Sequence, residues 1–275
     1  MNPAAWRQIG GVIRLEWKKT FLSRRGWWVY LLALAPVGLT LMHTLVALRY
    51  PRAGGTVFQD SQVFAVMFET YFLRLGIFFG CVGVFSNLFR GEMLEKTLHY
   101  YYMTPIRREL LVLGKYLSGL LVAVVLFTAS VAVSFWLMGR HHGAPWTEFL
   151  QHGPGFGQMG WYVVVAALGC AGYGAVFLVA GLFIRNPMIP AATVWVWENL
   201  NPFLPSLLKK ISVIFYLKSL CPVQISNVPP PLRVLVTETD PTPAWIALPG
   251  LLALAAVVLA CAAVSARRAE ISYGE

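Results

Sequence analysis

Long uncharged apolar segments constrain the fold of this chain more than any other feature of its sequence. No charged residue lies between Arg25 and Arg49, an interval of 23 residues, which is long enough for an α-helix to cross a bilayer. Comparable segments recur along the chain, so that hydrophobic residues make up 57% of it and charged residues only 12%. This balance differs from that of a soluble domain. Because helices satisfy their own backbone hydrogen bonds in hydrocarbon, the sequence predicts an all-α integral membrane protein.

We predict six membrane-spanning helices in residues 26–265, preceded by a helix in the membrane interface. Residues 1–25 place apolar side chains on one helical face and basic ones on another, which is typical of such an interfacial helix. No cleavable signal peptide is evident. The fifth predicted span, residues 188–208, is short and interrupted by prolines and polar residues. A polar segment at about 209–242 separates it from the sixth span.

The basic residues indicate the orientation of these spans. With a cytoplasmic N-terminus, the inside segments hold 14 Lys and Arg residues and the outside segments hold 7. This bias predicts that both termini are cytoplasmic, including a tail at 266–275, and that segment 209–242 is extracellular. The basic residues that give the chain its net charge of +10 lie beside the apolar spans, where they attract anionic lipids. We therefore expect a multi-pass membrane protein that contacts lipids and binds no nucleic acid.

The connector between the second and third predicted spans, residues 88–119, is unusually polar for a short link. Glu92, Glu95, His99 and Tyr102 recur at helical spacing, which predicts a short helix at about 92–103. Thr104-Pro105 ends this helix, because proline has no backbone donor and disfavours a helical residue before it. The connector thus presents a short helix with aromatic residues near its end.

The connector also carries motifs that resemble those of a known family. An acidic residue follows the second span, a Lys-Thr-Leu step begins the short helix, a Thr-Pro-hydrophobic step with an arginine ends it, and a Gly-Lys pair opens the third span. In this sequence these are Glu92, Lys96-Thr97-Leu98, Thr104-Pro105-Ile106 with Arg108, and Gly114-Lys115. In these residues, and in its six predicted spans, the chain resembles the permease subunits of type-2 ABC exporters.

This resemblance implies a transporter subunit that is not itself an enzyme. A separate ABC ATPase would bind ATP and Mg²⁺ and dock on the short connector helix, and a second permease copy, identical or related, would complete the unit. No glycine-rich loop ending in Gly-Lys-Ser or Gly-Lys-Thr is present to hold phosphates, so we expect no cofactor in this chain. The implied ATPase-coupling residues are Glu92, Glu95, Thr97, Leu98, His99, Tyr100, Tyr101 and Tyr102.

Ionisable and amide side chains within the spans are candidates for the transport pathway. The second span contains Glu69 and Arg74, and the fifth contains Glu198, Asn199 and Asn201. Such groups usually face protein or water inside a membrane, either to contact a substrate or to form an interhelical hydrogen bond. On an ideal α-helix Glu69 and Arg74 point about 140° apart, so we do not expect them to pair. Apolar cavities with a few polar groups suit lipid-like, glycan, peptide and drug substrates equally well.

Two other functions and one metal site have to be weighed against this interpretation. A polytopic enzyme acting on lipids would need clustered catalytic side chains at one membrane face, whereas the acidic residues here are scattered. A membrane scaffold without transport would make Glu69 and Glu198 dispensable. His141, His142 and His152, with Glu148, could form an external metal site, but they lie in a loop predicted to be flexible, and adjacent histidines rarely bind one ion together.

Overall fold

The computed structural model describes residues 10–14, 26–50, 55–94, 108–184, 186–225 and 242–268, with the backbone alone at 89–94, 108 and 265–268. Within these ranges every regular element is helical and no strand occurs, in agreement with the predicted all-α class. Residues 10–14 form one helical turn. The rest of the predicted interfacial helix, and residues 269–275 of the predicted tail, lie outside the described part of the chain.

The described ranges contain the following helical elements. In chain order they are α1 (Trp27–Arg49), α2 (Val57–Met67), a π-helical segment (Phe68–Ile77), α3 (Phe78–Leu94), α4 (Arg108–Met138), a 3₁₀ turn (Arg140–His142), α5 (Ala144–Gln151), α6 (Gly155–Phe183), α7 (Met188–Leu200), a second 3₁₀ turn (Asn201–Phe203), α8 (Ser206–Lys209), α9 (Val213–Leu220) and α10 (Ala244–Arg268).

Five helical stretches in the described residues are long and apolar enough to cross a membrane. They are Trp27–Arg49, Val57–Leu88, Glu109–His142, Gly155–Phe183 and Ala244–Val264. The fifth predicted span, residues 188–208, is instead divided into α7, a 3₁₀ turn and α8. Pro202 and Pro205 lie at these breaks, where proline cannot donate the helical hydrogen bond. The multi-span fold is therefore confirmed, and the count of six crossings stays a prediction.

Helix α6 lies at the centre of the bundle and packs against α3, α4 and α10. Glycines allow it to approach α3 closely, as small residues do between membrane helices. A Cβ atom added at Gly174 would lie 2.5 Å from the Phe85 ring, and one added at Gly181 would lie 2.8 Å from the Cα atom of Ser86. The α3–α6 contact therefore depends on the absence of side chains at these positions.

We predict that Gly181→Ala lowers the free energy of unfolding by about 1–3 kcal/mol, the usual cost of overpacking. Its new methyl group would meet the Ser86 backbone, which cannot rotate away as a side chain can. Unfolding of the purified protein in detergent measures the change. Gly160→Ala is the matched control in the same helix, because a Cβ there meets nothing within 4 Å. Equal stability of the two variants would contradict this account of the contact.

The outer helices α1 and α10 expose much of their apolar surface. Trp27 of α1 is 73% exposed and Val257 of α10 is 63% exposed. Both helices are strongly apolar in composition. A soluble protein rarely leaves so much contiguous apolar surface in contact with water. These faces suit contact with lipid or with another membrane subunit.

The segment after α4 is more ordered than the sequence suggests. His141 and His142 lie on a 3₁₀ turn, and α5 follows directly. Trp146 of α5 is buried against Phe135, with 5.6 Å between ring centroids, and packs so closely on Gly139 that a Cβ there would overlap its ring. The expectation of a flexible histidine-bearing loop was wrong, because a buried aromatic side chain fixes the turn.

Candidate functional site

The structure describes both ends of the connector. Helix α3 continues to Leu94, so the backbone at Glu92 is helical. Glu95, Thr97, Leu98, His99, Tyr100, Tyr101 and Tyr102 lie outside the described residues. Residues 92–94 are the end of α3, and the separate coupling helix at about 92–103 stays a prediction.

The Gly-Lys pair lies at the base of the connector and joins three parts of the chain. A Cβ atom added at Gly114 would lie 3.1 Å from Val12 Cβ, so residues 10–14 pack directly on α4. Lys115 is fully buried, and its Nζ donates a hydrogen bond of 2.8 Å to the carbonyl oxygen of Leu88 in α3. The start of α4 is thus fixed to the end of α3 next to the connector.

Glu69 and Arg74 form an ion pair, contrary to the expectation from an ideal helix. Arg74 Nη2 lies 4.0 Å from Glu69 Oε1. Both residues belong to the π-helical segment Phe68–Ile77, in which hydrogen bonds run from residue i to i+5 and bring side chains five residues apart to nearly the same face. The prediction of divergent side chains was wrong because the helix changes type, which the spacing of the residues does not reveal.

The π-helical segment is tied to the broken region that follows α6. Arg74 Nη1 donates a hydrogen bond of 2.6 Å to Asn199 Oδ1 in α7. Lys218 of α9 is in ion-pair contact with Glu69 through its Nζ atom. The structure therefore brings together Glu69, Arg74 and Asn199, three of the predicted pathway residues, and adds Lys218 to them. Two cations, Arg74 and Lys218, face the buried Glu69 carboxylate, and they offset the cost of removing its charge from water.

Glu198 has a different set of partners, although it is adjacent to Asn199. Glu198 is 6% exposed, and its carboxylate accepts hydrogen bonds from Ser212 Oγ at 2.5 Å and from the backbone N–H groups of Val213 and Ile214, each at 3.0 Å. These N–H groups begin α9 and have no acceptor within that helix. Glu198 therefore caps α9 from a distance of 14 residues, and its negative charge favours the helix N-terminus.

Asn201 reinforces the same turn. Its Nδ2 donates a weak hydrogen bond of 3.4 Å to the carbonyl oxygen of Lys209, which links the end of α7 to α8. Both residues are buried. Glu198 and Asn201 thus hold α7, α8 and α9 in one folded unit, and the Arg74–Asn199 and Glu69–Lys218 contacts attach that unit to the π-helical segment.

Sequence reasoning missed Ser212 and Lys218 as members of this region. Ser212 stands immediately before the apolar run 213–217, which is a recognisable N-cap signal. Lys218 closes that run as a charged residue at the end of an apolar helix. Both signals mark a short helix, but neither identifies Glu198 or Glu69 as the partner.

Comparison with known proteins agrees with the architecture. A family model described as ABC-2 family transporter protein matches residues 12–197, which is more than half of the 275-residue chain. No curated protein matches the sequence. The matched range begins within the residue 10–14 turn, contains the connector and the π-helical segment, and ends one residue before Glu198. The described residues include five apolar helices long enough to cross a membrane. Together with the family match, this shows that the chain belongs to the ABC-2 transporter family and is a multi-pass membrane permease.

Proposed function

We propose that this chain is the membrane subunit of an ABC exporter of the inner membrane. It moves a lipid-like, glycan, peptide or drug substrate by alternating access, and a separate ATPase supplies the energy by hydrolysing Mg²⁺-bound ATP. The family match over residues 12–197 carries this proposal. The architecture supports it, since helices account for most of the described residues.

Coupling to the ATPase occurs in this proposal through the connector between α3 and α4. The resemblance assigns docking to the segment from Glu92 to Tyr102 on the cytoplasmic side. The buried Lys115–Leu88 hydrogen bond and the Val12–Gly114 contact support the transmission of force, because they fix both ends of the connector to the bundle. Closure of the ATPase pair displaces the connector and shifts the helices between inward-open and outward-open arrangements.

The polar cluster of Glu69, Arg74, Asn199 and Lys218 is the proposed mobile contact along the pathway. It joins the π-helical segment to α7 and α9 by ion pairs and one hydrogen bond. Such contacts can exchange partners when helices shift, and they offer charges to a polar part of the substrate. The apolar exposed faces of α1 and α10 supply surface for a second permease copy and for lipid.

Purification of the tagged full chain from its native membrane tests this proposal. We expect an ABC ATPase to co-purify in comparable amount, and we expect ATP hydrolysis by the reconstituted complex to fall when this chain is omitted. The measurement is the hydrolysis rate in proteoliposomes with and without the chain. A purified chain that transports or reacts without any nucleotide hydrolase would contradict the proposal.

A further inference from the structure

Three side chains that can bind a metal meet at one end of the bundle. His43 lies in the last two turns of α1, Asp60 in the first turn of α2, and His141 on the 3₁₀ turn after α4. One ligand atom from each of the three lies within 4.8 Å of the others. These residues are far apart in the sequence, and the fold brings them to one point.

The distances suit a shared ion. His43 Nε2 lies 3.6 Å from Asp60 Oδ1, and His141 Nε2 lies 3.3 Å from Asp60 Oδ2. Ligands bound to Zn²⁺ at about 2.0–2.1 Å in a tetrahedral arrangement are separated from each other by roughly 3.3 Å. The three side chains are therefore close to ligand spacing, and one coordination position remains for water.

The two histidine nitrogens are not used by other contacts. Neither His43 Nε2 nor His141 Nε2 has a hydrogen-bond partner among the described residues. The side chain of Asp60 is 4% exposed and that of His141 is 5% exposed, so both are nearly removed from water. Buried polar atoms without partners are costly, and a metal ion would satisfy both nitrogens at once. The His43 side chain is 36% exposed and lies at the outer edge of the cluster.

His142 adds the support that metal ligands usually have. Its Nε2 lies 2.9 Å from Asp60 Oδ2 in a hydrogen bond, and its ring contacts that of His141 with 3.9 Å between centroids. Hydrogen bonds of this kind orient a carboxylate ligand and tune its basicity. His142 thus acts as a positioning residue for Asp60.

We propose that His43, Asp60 and His141 bind one divalent transition-metal ion of the Zn²⁺ class. Two imidazoles and one carboxylate favour such an ion over Mg²⁺ or Ca²⁺, which prefer oxygen ligands. The bound ion clamps α1, α2 and the turn after α4 together at this end of the bundle. The site is independent of the proposed transport function. Its ligands differ from the set weighed in the sequence analysis: His43 and Asp60 stand in place of His152 and Glu148, which are exposed.

Zn²⁺ titration of the full chain tests this site. The protein is purified in detergent, freed of its affinity tag and treated with a chelator, and binding is measured by calorimetry together with the unfolding temperature. We expect one Zn²⁺ per chain and an unfolding temperature that rises with Zn²⁺ concentration. His43→Gln and His141→Ala should each lower the affinity by at least about 100-fold, and His142→Ala by about 10- to 100-fold.

His152→Ala is the matched control, since it removes an exposed histidine eleven residues from His141 and should leave Zn²⁺ binding unchanged. His43→Gln keeps the test valid if loss of the more buried His141 side chain impairs folding. The proposal is overturned if the wild-type chain binds no Zn²⁺. It is also overturned if His43→Gln and His141→Ala bind Zn²⁺ as well as wild type, or if His152→Ala lowers the affinity as much as they do.

Discussion

Replacing Tyr100 and Tyr101 together by alanine is expected to detach the partner ATPase while leaving the chain folded in the membrane. Aromatic side chains at the centre of an interface commonly contribute 2 kcal/mol or more to binding, so affinity for the ATPase should fall by at least about 30-fold. The measurement is the dissociation constant of the purified ATPase from the chain in nanodiscs. ATP hydrolysis by the complex and transport should fall together.

Tyr50→Ala is the control for this experiment. Tyr50 follows α1 at the membrane end predicted to be extracellular, and its side chain is exposed. The Tyr50→Ala substitution removes an aromatic side chain without altering the connector, so it should leave ATPase binding unchanged. Wild-type affinity in the double variant would show that the ATPase docks on another surface.

Glu198→Ala should destabilise the unit formed by α7, α8 and α9. The change leaves Ser212 Oγ and two backbone N–H groups without their acceptor in a buried site. Each unsatisfied buried donor costs about 1–3 kcal/mol, so we expect a loss of at least about 2 kcal/mol in the free energy of unfolding. Thermal unfolding in detergent, with hydrogen exchange at residues 213–220, measures the effect and its location.

Glu198→Gln separates this capping role from a role in the pathway. Glutamine keeps one carbonyl acceptor, so it should lose less stability than alanine does, but it removes the negative charge. We expect the glutamine variant to assemble and to transport more slowly. Glu148→Ala, which removes an exposed carboxylate, should change neither property. If the Glu198→Gln variant transports at the wild-type rate, after correction for the amount of folded protein, then Glu198 only caps α9 and has no role in the pathway.

The sequence was sufficient to locate most of the membrane helices. An apolar run without charge is a local signal, and the interval between Arg25 and Arg49 became α1 with nearly the same bounds. The interruption of the fifth predicted span was also visible, because Pro202 and Pro205 cannot continue a helix. Whether α7 to α9 cross the membrane depends on packing, which a local signal does not contain.

The partners of the polar residues could not be predicted in the same way. Glu69 and Arg74 pair because the segment that contains both, Phe68–Ile77, is π-helical rather than α-helical. Their five-residue spacing does not reveal that change. Glu198 and Ser212 meet through a chain reversal. His43, Asp60 and His141 come from three separate elements. In each case the contact depends on tertiary structure. Residue type and spacing therefore identified candidate polar residues but not the side chains that they contact.

The central claim is that a cytoplasmic ATPase drives this chain through its connector, and the sidedness of that connector tests it most directly. In a chain with its four native cysteines replaced by serine, Tyr100→Cys and Tyr50→Cys are labelled with a membrane-impermeant maleimide. We predict labelling at position 100 only in inside-out vesicles and at position 50 only in right-side-out vesicles. Labelling of position 100 in right-side-out vesicles would contradict the account, because no cytoplasmic ATPase could then reach the connector.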